Sequence, residues 1–402
     1  MKKIKINDCI KYISDYHANG SYENLKENVT LKHDKNYAIM IRPLNFERND
    51  FQEDLLYIDK YEYEYLSKSK VYADDILINK IANPGSVYLM PNLDSPVSCG
   101  MNLFVLRFDD SIVNQKYMFY NMKNREQYIK SLAHGTTTKT ITKDDVRGIE
   151  LFVHSREEQN QIAKLLSTID SKISNNEAIA QQLEAMAKTI YDYWFLQFEF
   201  PNEEGKPYRS SGGRMIWNEE LQQEIPEGWA STRLKDIIVE NPKSKIKVSD
   251  VKNDGEIPFF TSGADILSTN ESIVSGLNCY LNTGGNADVK YYYGEASYST
   301  DTWCITAENE TKYILPFVLN KIKPSMDKVF FQGTGLRHLQ KNLLREYQFC
   351  FPDSNVVKEF SKLASDIFKK QHYLFEENKK LESLKQFLLP LLMNGQVTIN
   401  EK

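Results

Sequence analysis

A chain of 402 residues, 41% hydrophobic and 26% charged, has room for two or three domains of ordinary soluble globular protein. Its net charge of −5 excludes nucleic-acid binding through bulk basicity, so any such binding must rest on local patches. Five scattered cysteines (Cys9, Cys99, Cys279, Cys304, Cys350), odd in number and never in a C-x-x-C pair, argue against both a disulfide framework and a zinc site.

No run of about 18 apolar residues marks a membrane helix. The opening Met1-Lys2-Lys3-Ile4 leads into charge rather than into a signal core, so the expected location is cytoplasmic. Residues 1–154 read as a strand-rich globular region. Short apolar runs such as Tyr37 to Ile41, Asp75 to Ile78 and Leu103 to Leu106 alternate with turns such as Asn83-Pro84-Gly85 and Ser98-Cys99-Gly100. The spacing from Tyr117 to Leu132 predicts a helix, and Ile149 to Val153 a last strand.

A long helix is predicted over 155–197, with Ser155 as its cap and Glu157 and Glu158 suited to its dipole. Counting in sevens gives Ile162, Ile169, Asn176, Leu183 and Ile190, with Leu166, Ile173, Ala180, Ala187 and Trp194 as the companion row. This is a coiled-coil seam in which only Asn176 is polar. Asn176 either fixes register or marks where the seam opens toward a partner. Residues 198–228 carry the turn chemistry of a linker (Phe200-Pro201, Gly205-Lys206-Pro207, Gly212-Gly213). A second globular region spans 229–352, and a second long helix spans 353–395.

The second half repeats the first. At an offset of 198, Phe119 falls on Phe317, Gly135-Thr136 on Gly333-Thr334, Ile141 on Leu339 and Leu151 on Phe349. The helix seam falls on Phe360, Ile367, Leu374, Leu381 and Leu388. Leu234 to Ile238 echoes Ile6 to Ile10 at an offset of 228, so the second region is about 30 residues shorter, with the loss upstream of Phe317. The expected fold is therefore α+β: two strand-rich globular regions separated by two long helices that form an antiparallel coiled coil, with a pseudo-two-fold internal repeat. Repeated but non-identical heads suit the reading of two different DNA half-sites.

Candidate DNA contacts fall in loops and basic stretches. Two glycine-bearing loops, Lys80 to Gly85 (with Lys80 and Asn83) and Asn282-Thr283-Gly284-Gly285-Asn286, permit close backbone approach and offer donors to base edges. The basic run from Lys321 to Arg345, including Arg337 and His338, supplies cations for phosphates, as does its repeat-mate with Thr136 and Lys139. Arg42, ending an apolar strand before Pro43, is a further candidate. A solvated surface and an ordinary hairpin turn are the alternatives for these positions. Catalytic signatures are missing: no Asn/Asp-Pro-Pro-Tyr/Phe run, no phosphate-cradling G-x-x-x-x-G-K-S/T, and no histidines at ligand spacing. No catalytic or metal site and no bound cofactor is expected.

Four passages resemble the specificity subunit of type I restriction-modification systems, over essentially the whole chain. The first is Ala73 to Lys80 with Asn83-Pro84-Gly85, where Asp74 stands in place of the family's usual glycine. The second is Gly135 to Ile141 with Glu158-Gln159-Asn160-Gln161-Ile162. The third runs from Tyr191-Asp192-Tyr193-Trp194-Phe195 through Gly205-Lys206-Pro207-Tyr208 to Ile225-Pro226-Glu227-Gly228-Trp229. The fourth is Gly333-Thr334-Gly335 with Leu388-Leu389-Pro390-Leu391-Leu392. The second helix departs from the pattern, since Val356-Val357 stands opposite Glu158-Gln159.

The resemblance implies a non-catalytic subunit whose two target-recognition domains read a bipartite, asymmetric sequence in double-stranded DNA. Its helices would dock two modification subunits, which bring S-adenosylmethionine, and restriction subunits could join that complex. A coiled-coil scaffold whose heads bind only proteins predicts the same heptads and repeat. A mobility shift on random duplex separates the two readings.

Overall fold

The computed structural model describes residues 1–399. The chain forms two compact units, Met1–Ile173 together with residues from Lys380 onward, and Ser174–Lys379. Each unit thus takes part of both long helices. Among the described residues no helix is long and apolar enough to cross a membrane.

In the first unit the strands are β1 (Lys2–Lys5), β2 (Ile10–Asp15), β3 (Ala38–Ile41), β4 (Leu56–Ile58), β5 (Lys70–Val71), β6 (Ile76–Asn79), β7 (Val87–Leu89), β8 (Val97–Cys99), β9 (Leu103–Phe108) and β10 (Glu150–Val153). One sheet is antiparallel in the order β2-β9-β6-β7. A second has the order β4-β3-β8-β5 with β3 and β8 parallel, and β1 pairs with β10. The unbroken apolar runs of β6 and β9 follow from burial on both faces. Ile76, Ile78, Phe104 and Leu106 join the core that includes Tyr117, Ile162 and Leu166, whereas Leu77, Leu103 and Val105 pack with Ile39, Ile41 and Val97. Asp74 has φ +65°, a region favouring glycine but open to aspartate, which accounts for its standing where the family pattern has glycine.

The helix expected over Tyr117 to Leu132 is two helices, Gln115–Asn124 and Glu126–Ser131. Arg125 lies between them at φ −106°, ψ 18°, and its guanidinium donates to the Glu150 carbonyl at 3.2 Å. The first long helix, Arg156–Tyr191, opens on a reciprocal cap: Glu158 Oε2 accepts from Ser155 N at 3.1 Å, and Ser155 Oγ accepts from Glu158 N at 3.4 Å. The second long helix is Ser354–Met393. Within the first unit Ile162 and Leu166 share a core with Leu392 and Met393, while Lys385 pairs with Asp170. The helices therefore run antiparallel there. Tyr120 donates to the same Asp170 at 2.6 Å.

The second unit holds β11 (Met215–Asn218), β12 (Gln223–Pro226), β13 (Ala230–Arg233), β14 (Ile238–Glu240), β15 (Ile257–Phe260), β16 (Ile266–Thr269), β17 (Leu277–Asn282), β18 (Val289–Tyr293), β19 (Ser297–Tyr298), β20 (Thr302–Ala307), β21 (Phe331–Gln332), β22 (His338–Leu339) and β23 (Gln348–Phe351). Its sheets repeat the first unit's plan: β14-β20-β17-β18 antiparallel, β16-β15-β19 with β15 and β19 parallel, and β13 paired with β23. Residues 59–75 between β4 and β6 are answered only by 270–276, so the counterparts of β5 and its preceding helix are missing. About a third of the shortening sits there.

The helices are antiparallel in this unit as well. Asn176 Nδ2 donates to Asn378 Oδ1 and Glu377 Oε2, each at 2.7 Å, and Gln371 donates to the Ala180 carbonyl at 3.1 Å. Asn176 is 1% exposed, so the lone polar seam residue is a cross-helix register contact rather than an opening. The stretch 198–228, linker-like in composition, is folded. Phe200 stacks between Tyr208 at 4.5 Å and Trp229 at 5.0 Å, and β11 pairs with β12. Val356 and Val357 are buried in the same core, which explains apolar residues where the first helix carries Glu158 and Gln159.

Candidate nucleic-acid interface

In the first unit the loop after β6 is shaped by Asn79, whose carbonyl accepts from Gly85 N at 2.8 Å. Gly85 has φ +87°, and a Cβ there would lie 2.8 Å from the Lys130 backbone, so glycine is required on two counts. A hairpin closed by His134 and Thr140 lies beside this loop. Thr140 bridges Ile81, and Ile141 N donates to the Lys80 carbonyl at 3.1 Å. Loops more than fifty residues apart are thus joined, and Asn83, Thr136 and Lys139 are exposed on them.

Lys80 is a different case. Its ammonium lies 2.6 Å from Asp15 and 5.0 Å above the Phe104 ring, and its side chain is largely buried. Lys143 reaches the same Asp15 at 2.7 Å. Burial pushes the Asp15 carboxyl up, but hydrogen bonds from Lys143 and Lys80 outweigh it and hold the group below its usual range. Lys80 therefore braces the base of the loop, and the exposed contacts fall to its neighbours. Arg42 is likewise engaged, donating to the Asp54 carbonyl at 2.7 Å beside the helix Pro43–Glu47.

The second unit makes the same junction from different residues. Gly284 bridges His338, Gly285 N donates to the Arg337 carbonyl at 3.0 Å, and Leu339 N donates to the Thr283 carbonyl at 3.0 Å. The loop after β17 and the hairpin β21–β22 are thereby joined. Asn282 is buried and shapes the loop from beneath, donating to the Asn286 carbonyl at 3.1 Å. Gly284 has no left-handed φ, and a Cβ there would make ordinary contacts with the His338 ring at 3.6 Å and the Arg337 carbonyl at 3.9 Å. Arg337 donates to the Asp327 carbonyl at 3.0 Å and remains partly exposed, while His338 is exposed.

Much of the basic run is already neutralised. Asp288 holds Lys323 at 2.6 Å and Lys290 at 3.3 Å, and these lysines overcome the effect of burial to keep its carboxyl below the ordinary range. Arg345 pairs with Glu240. Partial burial of the Lys321 ammonium lowers it below its usual range, although the residue as a whole is exposed. Each unit thus places one aspartate, Asp15 or Asp288, under its glycine loop to collect two lysines. The sequence reading missed both acids because ion pairs between distant segments leave no periodic trace. It also passed over Lys243, Lys245 and Lys247, whose strand-like alternation was the available signal. Among the described residues no group of three or more His, Cys, Asp or Glu side chains could hold a metal ion.

Comparison with known proteins places this architecture. The profile of the type I restriction modification DNA specificity domain matches residues 10–185. The type I restriction enzyme MjaIX specificity subunit of Methanocaldococcus jannaschii is 24% identical over 381 residues, covering 85% of each chain. The HindI specificity subunit of Haemophilus influenzae is 21% identical over 407 residues, covering 82% of this chain and 88% of its own. The crystal structure of a type I restriction-modification S subunit from M. genitalium superposes with a TM-score of 0.58 at 17% identity, covering 100% of this chain and 96% of that one. A repeated two-sheet unit carrying bridged loops is thus what this chain has in common with the fold of a solved S subunit, and over most of its length the sequence is similar to type I restriction-modification specificity subunits.

Proposed function

We propose that this chain is the sequence-specific DNA-recognition subunit of a type I restriction-modification complex, with each unit reading one half of a bipartite, asymmetric target. The observation that carries this reading is the repeated junction, Ile81 with Thr140 in one unit and Gly284 with His338 in the other. The scaffold is the same, but the residues offered differ: exposed Asn83, Thr136 and Lys139 against half-buried Gly284, Gly285 and Arg337 with exposed Asn286 and His338. Backbone positions that approach closely, flanked by amide and cationic donors, suit base edges and phosphates of a groove.

The chain itself does no chemistry in this reading. Two modification subunits dock on the long helices and bring S-adenosylmethionine, restriction subunits can join them, and the assembly works on cytoplasmic DNA. The test is selection of bound sequences from a random double-stranded library, using the full chain with its modification subunits. Arg337→Glu with His338→Ala should abolish base preference in one half-site and leave the other intact. Asn83→Ala with Lys139→Ala should do the reverse. No enrichment by the wild-type complex, or equal damage to both half-sites by either variant, would overturn the two-reader assignment.

A further inference from the structure

After β14 the chain runs on as Asn241-Pro242-Lys243-Ser244-Lys245-Ile246-Lys247. Ser244 is buried and Ile246 half-buried, while the three lysines between and beside them are exposed. That is the two-residue period of an extended chain, and it sets three ammonium groups on one face. None of the three lies within 4.0 Å of a carboxylate among the described residues. Of the acids in this region, Glu240 is committed to Arg345 and Asp288 to Lys290 and Lys323, while Asp250 and Asp301 are exposed.

Backbone hydrogen bonds carry this segment sideways to the glycine loop. The Ile246 carbonyl accepts from Thr300 N at 3.0 Å. The carbonyl of the next residue, Asp301, accepts from Thr283 N at 3.2 Å and from Thr283 Oγ1 at 2.7 Å. Two backbone hydrogen-bonding steps, through the turn at Thr300-Asp301, therefore link Ile246 to Thr283, roughly 10 Å at about 4.8 Å a step. The major groove is about 12 Å wide, so a loop seated in it leaves the lysines over the bordering phosphates.

A fourth lysine of this edge feels Lys243. Burial lowers the Lys341 ammonium below its usual range, and Glu240 opposes this while Arg345 and Lys243 add to it. The corresponding edge of the first unit differs. There β2 ends in Asp15, which draws in Lys80 and Lys143, and Tyr16–Asn19 follows as a short turn.

We propose that Lys243, Lys245 and Lys247 form a phosphate-binding strand that seats the second unit on the DNA backbone beside its glycine loop, a role without counterpart in the first unit. This rests on the DNA reading above. Each phosphate neutralised on duplex DNA contributes about 0.9 to the slope of log affinity against log salt. Three contacts amount to a slope of about 2.7, or about a 40-fold larger loss of affinity between 50 and 200 mM salt.

The experiment is a salt titration of the full-length chain on random-sequence duplex by fluorescence anisotropy. It compares the wild type, the triple variant Lys243→Gln, Lys245→Gln, Lys247→Gln, and a charge-matched control altering the exposed helix residues Lys164, Lys188 and Lys358 to Gln. Thermal melting establishes that all three are folded. The triple variant should lose about 2.7 from the slope while the control keeps the wild-type value. An unchanged slope in the triple variant, or an equal loss in the control, overturns the phosphate strand alone. A wild type that shows no salt-dependent binding overturns the DNA reading and the strand with it.

Discussion

Replacing Asp15 with asparagine removes the carboxylate that compensates both Lys80 and Lys143. Its side chain is 8% exposed, against 16% and 29% for the two lysines. Removing one partner from such an arrangement typically costs about 3–5 kcal/mol, because a desolvated charge is left without compensation. In a unit of about 200 residues each kcal/mol moves the melting midpoint by roughly 2–4 °C, so Asp15→Asn should lower it by roughly 6–20 °C at pH 7. The loss also has a pH signature. Although burial raises the Asp15 carboxyl, hydrogen bonds from Lys143 and Lys80 leave it net lowered in the folded state. The unfolded chain then binds more protons, so the stabilisation is complete above the unfolded value of about 3.9 and is lost as pH falls through the folded one. Calorimetric melts of wild type and variant should differ fully between pH 5 and 8 and begin to converge only as pH falls below about 4. The triple variant Asp15→Leu, Lys80→Met, Lys143→Met should regain most of the difference, since apolar replacement of a buried ionic cluster is often close to neutral. A shift under about 2 °C at pH 7, or a gap that widens as pH falls below about 4, would refute the reasoning.

Other perturbations give separate readouts. Asn176→Ala removes two cross-helix hydrogen bonds from a buried seam and should cost about 2 kcal/mol in chemical denaturation. Gly85→Ala forces a left-handed backbone and a clash with the Lys130 main chain, so unfolding should become easier by at least about 1 kcal/mol. Gly284→Ala should melt within about 0.5 kcal/mol of wild type yet weaken binding at the second half-site, as seen by combining melting with mobility shifts. Burial lowers the His154 imidazole, with Glu158 opposing and the chain's amino terminus adding to the fall. The unfolded state therefore takes up the proton first, and stability should decline as pH drops below about 6.5. His154→Gln should flatten that decline in melts from pH 8 to pH 5.

What the sequence disclosed is what periodicity and turn chemistry can encode. The heptads, the Gly135-Thr136 loop with its Gly333-Thr334 repeat-mate, and the strands around Ile76 and Leu103 all follow from local pattern, and the fixed offset exposed the repeat. Pairing across distance was not legible. Asp15 meets Lys143 across 128 residues, and no local rule names such a partner. The break at Arg125 carries no glycine or proline to announce it. The aromatic stack of Phe200, Tyr208 and Trp229 was hidden among turn residues, because composition does not reveal that three rings converge. Among the candidate contacts, loop membership was readable from glycine and asparagine, whereas the commitment of Lys80 and Lys323 to aspartates was a tertiary fact.

The pairing of β1 with β10 has a consequence for biosynthesis. A ribosome adding about 5–20 residues per second releases Lys2–Lys5 roughly 7–30 s before Glu150–Val153. Leu392 and Met393, which share a core with Ile162 and Leu166, emerge later still, some 11–46 s after those residues. Until Glu150–Val153 emerge the nascent first unit has an unpaired strand edge, and from Ile162 until the last helix it presents an oily helical stripe, both invitations to aggregation. Translation that stops anywhere before Lys380 leaves the stripe open for good. Such a fragment should be a substrate for chaperones and proteases, so the cell accumulates the recognition protein only when its last helix has been made.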